Sequence, residues 1–284
     1  MAGIVLKLNQ ILDELPASEQ KVAKHVADNL DAVVGLSVEE LATRSGSSQA
    51  AVVRFCKKLG CKGYRDFSIQ LVSELAVAQQ GNADRQQYTD IRAGDHVHNV
   101  IHTVCHHNMQ AIEDTLSLID PEQVELAAEK LFHANRIDLY AMAASNLVAQ
   151  DAQQKLMRIN KQVSAYSDPH LQLSSASTLT PADVVVAMSW SGETREVLQA
   201  AKLAKKNGAF IIAISRYGKA SLKAFADVHF GLSAPEMSIR SGAMSSRIAQ
   251  MTMIDILFSC VVSRHYNETV PYLMRTRQML RTVR

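Results

Sequence analysis

Residues 188–197 read MSWSGETREV, and the stretch from Ser189 to Thr194 carries more hydrogen-bonding chemistry than a short turn needs. Ser189, Ser191 and Thr194 offer hydroxyls, and Gly192 lets a backbone approach closely. An apolar run, DVVVAMS, precedes them, and a helical pattern, ETREVLQAAKLAKKNG, follows. The turn therefore feeds a strand into the start of a helix, where free N–H groups favour an anion. A phosphate fits that chemistry. The plainer alternative is a helix N-cap, the ordinary use of Ser or Thr at such a place. Trp190 lies inside the same loop; alternation turns its ring away from the serines and toward a core.

A second chemistry is positive charge. From Leu41 to Arg65 the chain has no acidic residue, yet it holds Arg44, Arg54, Lys57, Lys58, Lys62 and Arg65. An uncompensated strip of this kind suits a phosphate backbone. The strip overlaps the second helix of a helix, short Gly-containing turn, helix pattern, SVEELATRSG followed by SSQAAVVRFCKKLG. In that geometry the start of the second helix faces base edges. Ser48, Gln49 and Ala50 are the expected base readers, Gln49 with a preference for adenine. Arg54 is expected at a base or a phosphate, and Lys57, Lys58 and Lys62 at phosphates, where they set affinity and salt dependence.

A third group is His98, His102 and His106, four apart on one helix face, with Cys105 and His107 beside them. The spacing could present imidazoles to a metal. No acidic ligand falls within the stripe, so an exposed or interface face is expected, with no metal and no cofactor.

The elements that must position these groups follow two grammars. Residues 1–77 read as all helical: Ser18 is a candidate N-cap, Ser37 and Glu40 form a capping box, and Gly46 and Gly60 stop helices. Residues 78–94 are polar and aperiodic and read as a linker. Residues 95–284 begin with a long helical pattern and a second helix capped by Asp120 with Pro121 at its first position. Strand patterns then alternate with helices: RIDLYAMA, QVSAYS, DVVVAMS, AFIIAIS and VHFGLS, before a long apolar helix, SSRIAQMTMIDILFSCVV. Alternating β and α implies a parallel sheet covered by helices, with ligands at the strands' carboxyl ends.

The chain has 284 residues, room for about two domains, and 47% of them are hydrophobic. Net charge is only +2, so charge distribution rather than balance points to partners. Cys56, Cys61, Cys105 and Cys260 form no C-x-x-C pair and suggest no disulfide framework. The N-terminus lacks a signal-peptide layout and no apolar run has the length of a membrane span, so a reduced, cytoplasmic protein is expected.

The ordered set SVEELATRSGSSQAAVVRFCKKLGCKGYRDF, SNLVAQDAQQKLMRI, SDPHLQLSSASTL, DVVVAMSWSGETREV and SSRIAQMTMIDILF resembles RpiR-type bacterial transcription regulators over nearly the whole chain. Such proteins join an N-terminal helix-turn-helix domain to a sugar isomerase (SIS) domain that binds phosphosugars. The resemblance implies an all-α domain followed by an α/β domain with a five-stranded parallel sheet, a homodimer or homotetramer, and effector control of operator affinity. It makes Ser189, Ser191, Gly192 and Thr194 phosphate contacts and Ser145 a ligand contact. His170, Glu236 and Arg240 are further candidates, the last two closing the site across a dimer interface. Where the family often has Gly-x-Gly-x-Ser, this chain has MAAS, Met142 to Ser145, and alanines cannot take glycine's backbone angles cheaply.

Three function classes follow. The first is a DNA-binding regulator, a repressor of sugar catabolism genes controlled by a phosphosugar. The second is a phosphosugar isomerase or lyase, which needs a base beside a carbonyl; Glu193, His170 and Glu236 are the only evident candidates. The third is a sugar-binding adaptor that touches no nucleic acid. An acid-free basic recognition helix has no use in an enzyme, so the regulator is the expected class, and the protein is not expected to be an enzyme.

Overall fold

The computed structural model describes residues 4–79, 94–234 and 243–282. The chain forms two compact units, Met1–His106 and His107–Arg284.

The first unit is helical among the described residues. Its helices are α1 (Ile4–Ile11), α2 (Ala17–Asp28), α3 (Leu30–Val33), α4 (Val38–Arg44), α5 (Gln49–Lys58) and α6 (Tyr64–Gln79). Leu8, Val22, Val26, Leu41, Val52, Phe55, Leu59 and Phe67 form the buried interior, with Phe55 and Phe67 edge to face at 5.7 Å. Ser37 and Glu40 make the reciprocal capping box that starts α4. Gly46 and Gly60 take φ of +62° and +86°. Each lets the next N–H reach back, Ser47 to the Ala42 carbonyl (2.9 Å) and Cys61 to that of Cys56 (3.0 Å), which satisfies the helix end. One expected cap is displaced: α2 begins at Ala17 with Pro16 at the cap position, and Ser18 instead receives a bond at its carbonyl from the Ser47 hydroxyl (2.7 Å). Proline's fixed φ already suits a helix start, so the helix begins before the serine. Cys56 and Cys61 are buried, and burial pushes the Cys56 thiol up to about 12, so neither is a reactive thiolate.

The second unit holds the sheet. The helices α7 (Val97–Leu118), within which the division between units falls, and α8 (Pro121–His133) lead in; Asp120 caps α8 with Pro121 at its first turn. Then come β1 (Ile137–Ala141), α9 (Ala143–Met157), β2 (Val163–Tyr166), α10 (Pro169–Ala176), β3 (Val184–Met188), α11 (Arg195–Lys206), β4 (Phe210–Arg216), β5 (Val228–Leu232), α12 (Met244–Arg264) and α13 (Tyr266–Thr282). All strand pairs are parallel, in the order β2-β1-β3-β4-β5. Alternation divides the strand residues between two cores. Leu139, Val186 and Ile212 face a cluster with residues of α8, α9 and α12, while Tyr140, Val185 and Ile211 face one with residues of α10 and α11. Burial on both faces explains why β3 is an unbroken apolar run. It also explains α12: the helix is long and apolar enough to cross a membrane, and Ala249, Met253, Ile254, Leu257 and Val261 are in the core.

The strand order reverses between β1 and β3, because β1 leads to β2 on one side and β3 leads to β4 on the other. A crevice opens at the carboxyl ends of two strands whose connections diverge in this way.

Candidate functional site

That crevice is a cleft of about 150 Å³. The turn after β1 supplies Met142, Ala143, Ala144 and Ser145; the loop after β3 supplies Trp190, Ser191 and Thr194; the start of α12 supplies Ala243, Ser246, Arg247 and Gln250. Two helices of normal length, α9 and α11, begin at it. Met142 and Thr194, at their cap positions, make no side-chain cap hydrogen bond. Thr194 is therefore not the ordinary N-cap that its position suggested. Its Oγ1 lies 2.8 Å from the Ser189 hydroxyl, which in turn lies 3.5 Å from that of Ser191. Donors clustered at helix starts suit an oxyanion.

The loop's shape depends on Gly192. Its φ is +70°, and a Cβ there would stand 2.4 Å from Ala220 Cβ. Gly192 N–H bonds the Ser189 carbonyl (3.0 Å), and its own carbonyl accepts from Leu222 N–H (3.1 Å). The one acid of the loop points elsewhere: Glu193 Oε1 accepts from Ser221 N–H at 2.8 Å, and bonding to Ser221 holds its carboxyl below the usual range. No carboxylate or imidazole lines the cleft among the described residues.

Two cleft alanines, Ala143 and Ala243, have φ of +47° and +53°. The left-handed region costs a residue with a Cβ roughly 1–2 kcal/mol. The MAAS turn thus keeps a glycine-like conformation without glycine, and strain sits on both sides of the cleft.

The structure places the expected ligand residues unequally. Ser145, Ser191 and Thr194 line the cleft. Ser189 is buried beneath it, and Gly192 shapes the loop from behind against Ala220. His170 is exposed in the first turn of α10, where its N–H bonds the Asp168 carboxylate, and it is not among the lining residues. Glu236 and Arg240 lie outside the described residues. Sequence reasoning missed Ser246, Arg247 and Gln250. Their signal was a polar stripe at i, i+1 and i+4 on an otherwise apolar helix. Gln250 is 1% exposed and its Nε2 has no hydrogen-bond partner.

In the first unit, α5 presents Gln49, Ala50, Arg54, Lys57 and Lys58 to solvent, and Ser48 caps the helix by accepting from Ala51 N–H (3.2 Å). Lys62 is exposed just beyond it. The basic strip is not uncompensated, however. Buried Glu19 of α2 holds Arg54 Nε at 2.9 Å and stands 3.6 Å from Lys58 Nζ. Residues free of acids in sequence meet one in space because α2 packs against α5. Lys57 forms no ion pair among the described residues, and Asp66 accepts from the backbone N–H of Lys62 (2.7 Å) and from Gln70 Nε2 (2.9 Å).

Two family models match, a helix-turn-helix domain of the rpiR family over residues 2–78 and the SIS domain over residues 130–260. An uncharacterised HTH-type transcriptional regulator of Caldanaerobacter subterraneus is 39% identical over 99% of this chain and 98% of its own. The chain belongs to the RpiR family of HTH-type transcriptional regulators. This RpiR-family regulator is also 30% identical to the HTH-type transcriptional regulator HexR of Pseudomonas aeruginosa, over 99% of this chain and 96% of HexR. Its fold matches the Vibrio vulnificus NanR protein, solved in complex with ManNAc-6P, with a TM-score of 0.62, 24% identity and 99% of both chains covered.

Proposed function

We propose that this regulator is a repressor of sugar catabolism genes. Helix α5 reads operator DNA, and the cleft between β1, β3 and α12 holds the phosphosugar that controls it. The domain division is 1–77 for DNA, 78–94 as linker and 95–284 for ligand. Ser145, Ser191 and Thr194 take the phosphate with the α9 and α11 helix starts. Ser189 orients Thr194, and Gly192 keeps the loop's shape. Arg247, Ser246 and Gln250 face the rest of the ligand, with His170, Glu236 and Arg240 as outer contacts. Ser48, Gln49 and Ala50 meet base edges, and Arg54, Lys57, Lys58 and Lys62 meet the backbone or, for Arg54, a base. The working unit is a cytoplasmic homodimer or homotetramer that spans successive major grooves. An exposed apolar stripe on the second unit's part of α7, Met109, Ile112 and Leu116, supports an assembled form.

The single observation behind the ligand reading is the composition of the cleft: hydroxyls, helix starts and one arginine, with no group suited to abstract a proton among the described lining residues. That composition favours binding over isomerisation, a choice that fold leaves open because SIS sheets occur in isomerases as well. The test is thermal unfolding against phosphosugars, each paired with its unphosphorylated parent. At about a hundred times its dissociation constant a ligand adds about 2.7 kcal/mol. One phosphosugar should raise the midpoint while its parent does not, and Ser191→Ala should remove the rise. Turnover of that sugar by the protein would instead establish the isomerase.

A further inference from the structure

A second constellation lies far from the cleft, where α8 meets the junction of α12 and α13. Glu129 and His133 stand one helical turn apart on α8, and His265 caps the end of α12. His265 Nε2 is 3.1 Å from Glu129 Oε1, and His133 Nε2 is 3.5 Å from Glu129 Oε2. The three ligand-type atoms lie within 4.8 Å of one another. Tetrahedral zinc, with bonds of about 2.0–2.2 Å to imidazole and carboxylate, spaces its ligands about 3.3–3.5 Å apart. Each imidazole nitrogen lies beside a different oxygen of Glu129, so a small rotation of the carboxylate or of the exposed His133 side chain brings one oxygen and both nitrogens to about that spacing.

The surroundings hold the donors in place. The His265 ring stacks on Phe132 with centroids 3.4 Å apart and planes 2° from parallel. Arg264 Nε bonds Glu129 Oε1 at 2.7 Å, and Arg264 also pairs with Glu125. The arginine competes with a cation for Glu129, and Glu125 offsets its charge. A bound metal would replace the His265–Glu129 hydrogen bond with two coordinate bonds and leave Arg264 with Glu125.

We propose that Glu129, His133 and His265 form a site for a divalent transition metal of the Zn²⁺ type. Solvent fills the fourth position, since the His133 side chain is 69% exposed. The metal ties α8, which runs directly into β1, to the α12–α13 junction. It acts as a structural clamp and touches neither the phosphosugar nor DNA.

Co²⁺ added to the chelator-treated full chain tests this by its visible d–d absorption. A tetrahedral or five-coordinate spectrum is expected, displaced by Zn²⁺, together with a rise in the thermal midpoint. His133→Ala changes an exposed residue and should leave the circular dichroism unchanged. It should weaken Co²⁺ by more than the 10–100-fold that loss of an outer partner costs. Glu129→Gln should do the same. The double variant His98→Ala/His102→Ala on α7 should bind as the parent does. Absence of a Co²⁺ spectrum overturns the site, as does a spectrum that survives His133→Ala or disappears only in the α7 variant.

Discussion

Arg54 of α5 and Glu19 of α2 form an ion pair, Nε to Oε1 at 2.9 Å, in which the carboxylate side chain is 4% exposed and the guanidinium 55%. The arginine closest to the middle of the proposed DNA-reading face therefore also neutralises a buried charge. Arg54→Ala should lower the stability of the helical unit by about 1–2 kcal/mol, less than the roughly 3–5 kcal/mol of a fully buried broken pair, because Lys58 stays near Glu19. Weak operator binding by that variant alone would not distinguish a lost contact from a damaged fold. Glu19→Gln/Arg54→Ala should recover most of the stability while operator affinity stays low. Recovery of affinity along with stability would give Arg54 a structural role only. Lys57→Ala should leave stability unchanged and reduce the slope of log affinity against log salt by about 1.

Gly192 meets both conditions that exclude a side chain, a left-handed φ of +70° and a backbone neighbour, Ala220, 3.0 Å from where a Cβ would stand. Gly192→Ala should displace the loop, abolish the phosphosugar-dependent thermal shift and cost more than 1 kcal/mol of stability. Ala143 is the converse. Its φ of +47° is strained and its surroundings are open to the cleft, so Ala143→Gly should be neutral or slightly stabilising and Ala143→Val destabilising. Equal effects of glycine and valine at 143, read by denaturant unfolding, would remove the strain assignment.

Local pattern made much of the molecule legible. The capping box at Ser37, the glycine stops and all five strands follow from periodicity and turn chemistry, which act within a few residues. The hydroxyl-rich loop after β3 was legible for the same reason, since Ser189, Ser191 and Thr194 lie close together in sequence. What pattern could not supply was tertiary pairing. Glu19 lies 35 residues before Arg54, and nothing local says that α2 brings it to α5. Gln250 and Arg247 sat in a helix whose apolar neighbours disguised a cleft wall. The cluster of Glu129, His133 and His265 joins residues 136 apart, whereas the histidines of α7 all lie within one helix.

Gln250 separates stability from binding. A buried amide donor without a partner costs about 1–3 kcal/mol, and a leucine of similar volume would not bear that cost. Gln250→Leu should leave the thermal midpoint of the ligand-free protein unchanged or raised. It should also reduce the midpoint shift that the phosphosugar produces, because the donor is then missing where the ligand would accept. A lower midpoint with a normal ligand shift would mean that the amide serves the fold and not the cleft.

His229 of β5 predicts an acid limit to stability. Its Nε2 lies 2.8 Å from the Ser215 hydroxyl, and burial lowers its pKa from 6.5 to about 4. The unfolded chain binds a proton at this position below about pH 6.5 while the folded protein binds none until about pH 4. Stability rises with pH wherever the unfolded state holds more protons, so this group's contribution is complete above about pH 6.5 and is lost as pH falls toward 4. One pKa unit corresponds to about 1.4 kcal/mol, which puts the whole effect at no more than about 3.4 kcal/mol, less for the part of the ring that solvent reaches. Urea unfolding of the parent and of His229→Gln between those limits should show a shallower pH slope in the variant. Parallel slopes would mean that the imidazole titrates normally in the folded protein.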